Sequence, residues 1–196
     1  MKIKFIYSIE SEWSRVHDAY KRKEHFLNYN YKVRLPKGFS LENSDLKNLK
    51  SQIEKEINNP FVDDAKTNIA DNWTRYQSKI TKLIDSIGGR MPAEIDIVLT
   101  KYGVGGSYWP PQKVIVNVHY PKYFENFVHE LIHCCIEESI IKKYRLNHQQ
   151  KEGIIDWIFL NSPFLKTIFP DYSQQRMSIL PTEELINNTN LGFQES

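Results

Sequence analysis

At 196 residues the chain is long enough for one substantial domain, and 26% charged with 40% hydrophobic residues is the balance of a globular protein. A net charge of +2 excludes a chain built around an extended basic surface, so neither nucleic acid nor membrane is expected as a partner. The basic excess lies in residues 1–90 and the acidic excess in the remainder, a mild asymmetry that reads as solvated helix faces.

The opening MKIKFIYSIESEW has a basic start, but its apolar run stops at Glu10 and no small-residue cleavage site follows, so no secretory signal is expected. No window approaches the roughly 18 apolar residues of a membrane span. The neighbouring Cys134 and Cys135 point to different sides of a helix and are not expected to pair. Their role is helix packing, and a reducing cytoplasm is the expected compartment.

Residues 2–9 alternate as a strand does. Residues 11–30 show no clean periodicity, and the aromatic, basic run Tyr20–Tyr31 defines no element. A turn at Leu35-Pro36-Lys37-Gly38 precedes a helix opening at Asn43 or Ser44 and running to Ile57, with Leu46, Leu49, Ile53 and Ile57 at helical spacing. After Asn58-Asn59-Pro60, a longer helix is predicted from Asp63 to Ile87. Its inner stripe is Ile69, Trp73, Tyr76, Ile80, Leu83, Ile84 and Ile87, and Gly88-Gly89 stops it.

Past Pro92 the pattern changes. Glu94–Lys101 and Lys113–His119 read as strands, joined by the glycine-rich stretch Tyr102–Tyr108. That stretch lacks the spacing of either phosphate-binding glycine motif, so it is read as a flexible hairpin lip. A helix from Lys122 to Tyr144 follows, with Phe124, Val128, Leu131, Ile132, Cys135 and Ile136 as its apolar stripe. It carries His129-Glu130-Leu131-Ile132-His133. Residues four apart share a helix face, so the two imidazoles can converge on one ion, with Glu130 beside them as a general base. Both histidines lie off the stripe, on the side of Asn126, Glu130 and Glu137, and are expected to face a polar cleft.

Asn147 and Gln150 form a capping box for a helix from His148 to Leu160. Ile154, Ile155, Trp157 and Ile158 make its apolar side, while His148, Glu152 and Asp156 form a polar row at four-residue steps. Phe164–Pro170 and Pro181–Asn188 read as a short apolar segment and a small helix, with a flexible tail after Asn188.

His-Glu-x-x-His, eighteen residues, then Glu is a spacing that resembles the gluzincin metallopeptidases, and His129, Glu130, His133 and Glu152 fit that motif residue by residue. Thermolysin-like members place an acid four residues beyond the ligand Glu, where Asp156 stands here. The resemblance covers residues 92–162 and implies one zinc ion held by His129, His133 and Glu152. It also implies Asp156 supporting the first histidine, and peptide-bond hydrolysis with Glu130 as general base and acid. The implied fold is α+β and zincin-like: a small mixed sheet, an edge strand above the active-site helix, and a second ligand-bearing helix. In that layout Lys113–His119 is the edge strand along which an extended peptide lies. The organisation expected is a mainly helical region 1–91 and a metallopeptidase core 92–196 in one compact body.

Several points stay open in the sequence. His148 could replace Glu152 as third ligand, and Glu137 lies one turn beyond His133. The second electrophile is Tyr172, Arg176 or His148. Endopeptidase action on a peptide or protein substrate is the first expectation. The alternatives are an intracellular regulatory zincin acting on or binding one partner, a metal that only stabilises the fold, and no metal at all.

Overall fold

The computed structural model describes residues 1–28, 30–42, 46–175 and 178–192. Four strands, β1 (Lys2–Ile6), β2 (Glu94–Thr100), β3 (Gly106–Trp109) and β4 (Lys113–Asn117), form one sheet in the order β1-β2-β4-β3. β1 pairs parallel with β2 and β2 with β4, while β3 pairs antiparallel with β4. The described residues also form helices α1 (Ile9–Lys21), α2 (Lys23–Asn28), α3 (Leu49–Glu56), α4 (Phe61–Ser86), α5 (Tyr123–Ile136), α6 (His148–Asn161), α7 (Pro163–Ile168) and α8 (Glu183–Asn187). The chain is α+β, and no described helix is long and apolar enough to cross a membrane.

Alternation along the strands assigns helices to the two faces of the sheet. Ile95, Ile97 and Leu99 of β2 and Val114 and Val116 of β4 share a face and join α4 and α5 in the main core. Thr100 projects the other way and donates to Glu12 of α1 at 2.6 Å. On that side Val16 of α1, Leu49 and Ile53 of α3 and Tyr102 form a smaller cluster. Covered on both faces, β2 is buried over most of its length, as parallel strands generally are.

Three expectations need correction. Lys113–His119 was expected at the sheet edge, but β4 lies between β2 and β3, and the edge on that side of the sheet is β3. The end of the glycine-rich stretch supplies that edge: residues 106–108, with Trp109 after them, pair with β4 across the turn at Pro110-Pro111, so the lip is partly a strand. Of residues 11–30, unassigned from sequence, most lie in α1 and α2, and α1 begins at Ile9, where the strand expected over 2–9 has already ended at Ile6. The buried face of α1 consists of Glu12, Arg15, Val16 and Ala19, at helical spacing but half charged, which hides the hydrophobic period. A capping box of Ser8 and Ser11 starts the helix.

Other boundaries differ less. The expected start of α3 at Asn43 or Ser44 lies outside the described residues, and the helix begins at Leu49. α4 begins two residues earlier than expected, and Gly88, at φ +75°, turns the chain where a side chain would be strained. The helix after β4 continues past Ile136 as a π-helical stretch, Glu137–Lys142. The flexible tail expected after Asn188 is instead packed as far as Leu191, which is fully buried and accepts from the Trp157 indole at 3.2 Å.

Glu12 ties α1 to the end of β2, accepting from Thr100 and from the Lys101 backbone N–H at 2.8 Å. Burial pushes its carboxyl up to about 7, against the pull of those bonds and of the Lys101 charge. A carboxyl raised above its unfolded value stabilises the fold fully below that lower value and loses the contribution as pH rises through the folded one. The melting temperature should therefore fall between about pH 5 and pH 8, and Glu12→Gln, which keeps an acceptor, should flatten part of that fall. An unchanged slope in pH-dependent thermal melts would show that Glu12 is not protonated in the fold.

Candidate metal centre

Every residue of α5 except Glu125 and Asn126 is buried, so its polar side chains must find partners inside the protein. His129 and His133 sit on successive turns with ring centroids 5.0 Å apart. The Nε2 atoms of both meet the same carboxylate oxygen, Oε2 of Glu152 on α6, at 3.1 and 3.2 Å. The donor atoms of these three side chains lie within 4.8 Å of one another, and together they could hold a metal ion. Donors around a tetrahedral zinc lie roughly 3.3 Å apart, so the observed spacings fit a small divalent cation without rearrangement.

The two imidazoles are supported differently. His129 has the Tyr172 hydroxyl at 3.4 Å from Nδ1. That hydroxyl donates to Asp156 Oδ1 at 2.6 Å, while Asp156 Oδ2 accepts from the Gln175 backbone N–H at 3.0 Å. Asp156, fully buried, thus reaches His129 through a phenol, where a direct contact was expected. His133 Nδ1 is buried with no partner among the described residues. Its ring is fixed by stacking on Tyr108, 4.5 Å between centroids and 4° from parallel.

Electrostatics separate the ligand set. Burial would raise the Glu152 carboxyl, but the His133 charge and bonds from both histidines hold it well below the usual carboxylate range. Burial lowers His133 to about 4 despite Glu152. His129 is raised, because burial is outweighed by its bond to Glu152 and by Glu130 and Asp156.

Glu130 packs against the edge strand, and a side chain on Gly106 would overlap its carboxylate. This is the steric reason for glycine at that position. Burial pushes Glu130 up to about 7, with His129, Arg15 and Lys151 opposing and Glu152 reinforcing the rise. Arg15 of α1 rivets the same strand from behind, donating to Ser107 Oγ at 2.7 Å and the Val104 carbonyl at 3.3 Å. Lys151 donates to the Tyr108 hydroxyl at 3.0 Å.

Of the other candidates, His148 is largely exposed, with Nδ1 3.6 Å from Glu152 Oε1, and it does not join the three-ligand group. Glu137 accepts from the Tyr108 hydroxyl at 3.0 Å. Arg176 lies outside the described residues. Tyr172 stands behind His129. A residue the sequence did not single out, Gln175, places its side-chain amide 3.3 Å from both His129 Nε2 and Glu152 Oε2. Nothing in the sequence marks Gln175, since only folding lays residues 172–175 across α6.

The cluster opens into a cleft of ≈ 750 Å³ walled by α2, β3, α5, the start of α6 and residues 172–175. Compared with known proteins, the chain matches no family model, no curated protein and no solved structure.

The segment holding Tyr172 and Gln175 is pinned again further on, where Ile179 N–H donates to the Gln149 carbonyl at 3.0 Å. There its backbone crosses α6 at Gly153, and a Cβ on Gly153 would overlap the Ile179 carbonyl. Gly153→Ala should therefore detach the segment from α6 and speed limited proteolysis around residues 172–175 and 178–180, with a melting temperature lower by several degrees, on the order of 1–3 kcal/mol. Wild-type cleavage and melting in this variant would refute the crossing.

Proposed function

We propose that this protein is a zinc-dependent peptidase with a zincin-like fold, and that His129, His133 and Glu152 hold the metal. The observation that carries the proposal is the meeting of two imidazole nitrogens at one carboxylate oxygen, with a fourth ionisable group, Glu130, alongside. A zinc ion there would supply a Lewis acid and bring the pKa of a bound water towards about 7.

The chain's own groups do the rest. Glu130, raised to about 7, is matched to moving a proton near neutrality. A carboxylate oxygen takes the proton from water as the C–O bond forms, and returns it to the amine nitrogen as the C–N bond breaks. The Gln175 amide, at the face of the cluster, is placed to donate to the carbonyl oxygen as charge develops on it. β3, with β4 on one side only, offers its outer edge to an extended peptide.

Metal content is the deciding measurement. Elemental analysis of wild type and Glu152→Ala, purified identically without added metal, should give about one zinc per chain in the first and far less in the second. Equal zinc in both would remove Glu152 from the site, and no zinc in either would end the metallopeptidase reading. Glu130→Gln should keep the metal and lose turnover of a fluorogenic peptide library; retained turnover would exclude Glu130 as the base.

Asp156→Ala removes the acceptor behind both Tyr172 and the Gln175 backbone. Zinc affinity should weaken roughly 10–100-fold in a competition titration, the usual cost of losing support behind a ligating histidine. Unchanged affinity would mean that Tyr172 alone orients His129.

A further inference from the structure

The cleft has a charged end that the hydrolytic chemistry does not use. Arg22, between α1 and α2, Lys32, and Lys151 on α6 line it. Arg22 is held over the Phe26 ring at 5.1 Å, and Lys151 is half-buried over the Tyr108 ring at 4.9 Å. Among the described residues, none of the three has a carboxylate within 4.0 Å. An ammonium has three donors, and among the described residues Lys151 donates to the Tyr108 hydroxyl, a neutral partner.

Carboxylates inside the cleft do not balance these cations. Glu152 is committed to the two histidines, Glu130 is buried against Gly106, and Glu125 is paired with Lys122 at 3.1 Å. Cations gathered in a concave, partly dry wall focus a positive potential on whatever enters.

We propose that this end of the cleft is a subsite for a carboxylate of the bound peptide. The proposal rests on the peptidase reading only for the peptide's orientation. His148 shares this end, with its ring 5.9 Å from His25, and lies four helical positions from Glu152.

The test uses the full-length Glu130→Gln chain, which binds without turnover, and fluorescein-labelled octapeptides in an otherwise neutral background. Amidated peptides carry central Glu, Gln or Lys pairs, and a fourth, neutral peptide keeps a free C-terminal carboxylate. In fluorescence anisotropy at low salt, the Glu peptide should bind about tenfold tighter than the Gln and Lys peptides. That preference should vanish in the Arg22→Gln/Lys32→Gln double variant and shrink with added salt. Both positions are exposed, so this variant keeps its fold, checked by circular dichroism; Lys151→Gln should behave likewise. Tighter binding of the free-carboxylate peptide than of its amidated counterpart would assign the subsite to a chain terminus. Equal binding of all peptides, no binding, a preference that survives the double variant, or stronger binding of a labelled oligothymidylate would overturn the proposal. Absence of zinc or turnover with the Glu preference intact would instead remove the peptidase reading and leave the subsite.

Discussion

Helix α5 buries two histidines and a glutamate, and much of the architecture answers that constraint. Burying ionisable groups is costly unless partners are buried with them. α6 answers with Glu152 for both imidazoles and Asp156 behind them. The edge strand answers with Gly106, the position where the Glu130 carboxylate can lie against backbone. Tyr108 covers the face of His133, and Tyr172 reaches Nδ1 of His129.

The first third of the chain takes part in this arrangement. β1 belongs to the same sheet as β2 and β4, and the main core runs from Val62 on α4 to Leu191 near the end of the described chain. Two charged residues of α1 reach across the sheet's far side. Glu12 fastens the end of β2, and Arg15 fastens the strand and loop against which Glu130 rests. α2 and the residues after it close the cleft opposite α6, with Tyr31 3.5 Å from His148. Site geometry therefore depends on elements more than a hundred residues away in sequence.

Residues 172–175 connect Asp156 to the cluster. Asp156 grips this segment at Tyr172 and at the Gln175 backbone, which puts the phenol behind one histidine and the amide at the face of the cluster. One buried carboxylate thus orients His129 and positions the Gln175 amide together. Its partners are neutral, so the negative charge of Asp156 stays within reach of His129, whose charged form it favours.

What the sequence determined by itself is local and periodic. The capping box at Asn147, the stripe of α4 and the four-residue steps of His129, His133, Glu152 and Asp156 follow from helix geometry, and the structure has these helices. What it could not determine is everything fixed by contacts distant along the chain. α1 was hidden because its inner face carries Glu12 and Arg15, whose partners are about ninety residues away. The edge passed from Lys113–His119 to Gly106–Trp109 because strand order depends on which neighbours pair, and alternation of side chains says nothing of neighbours. Gln175 came to the cluster only through the crossing over Gly153, a matter of two backbones fitting closely. Periodicity records which side of an element is buried; the tertiary structure alone decides against what.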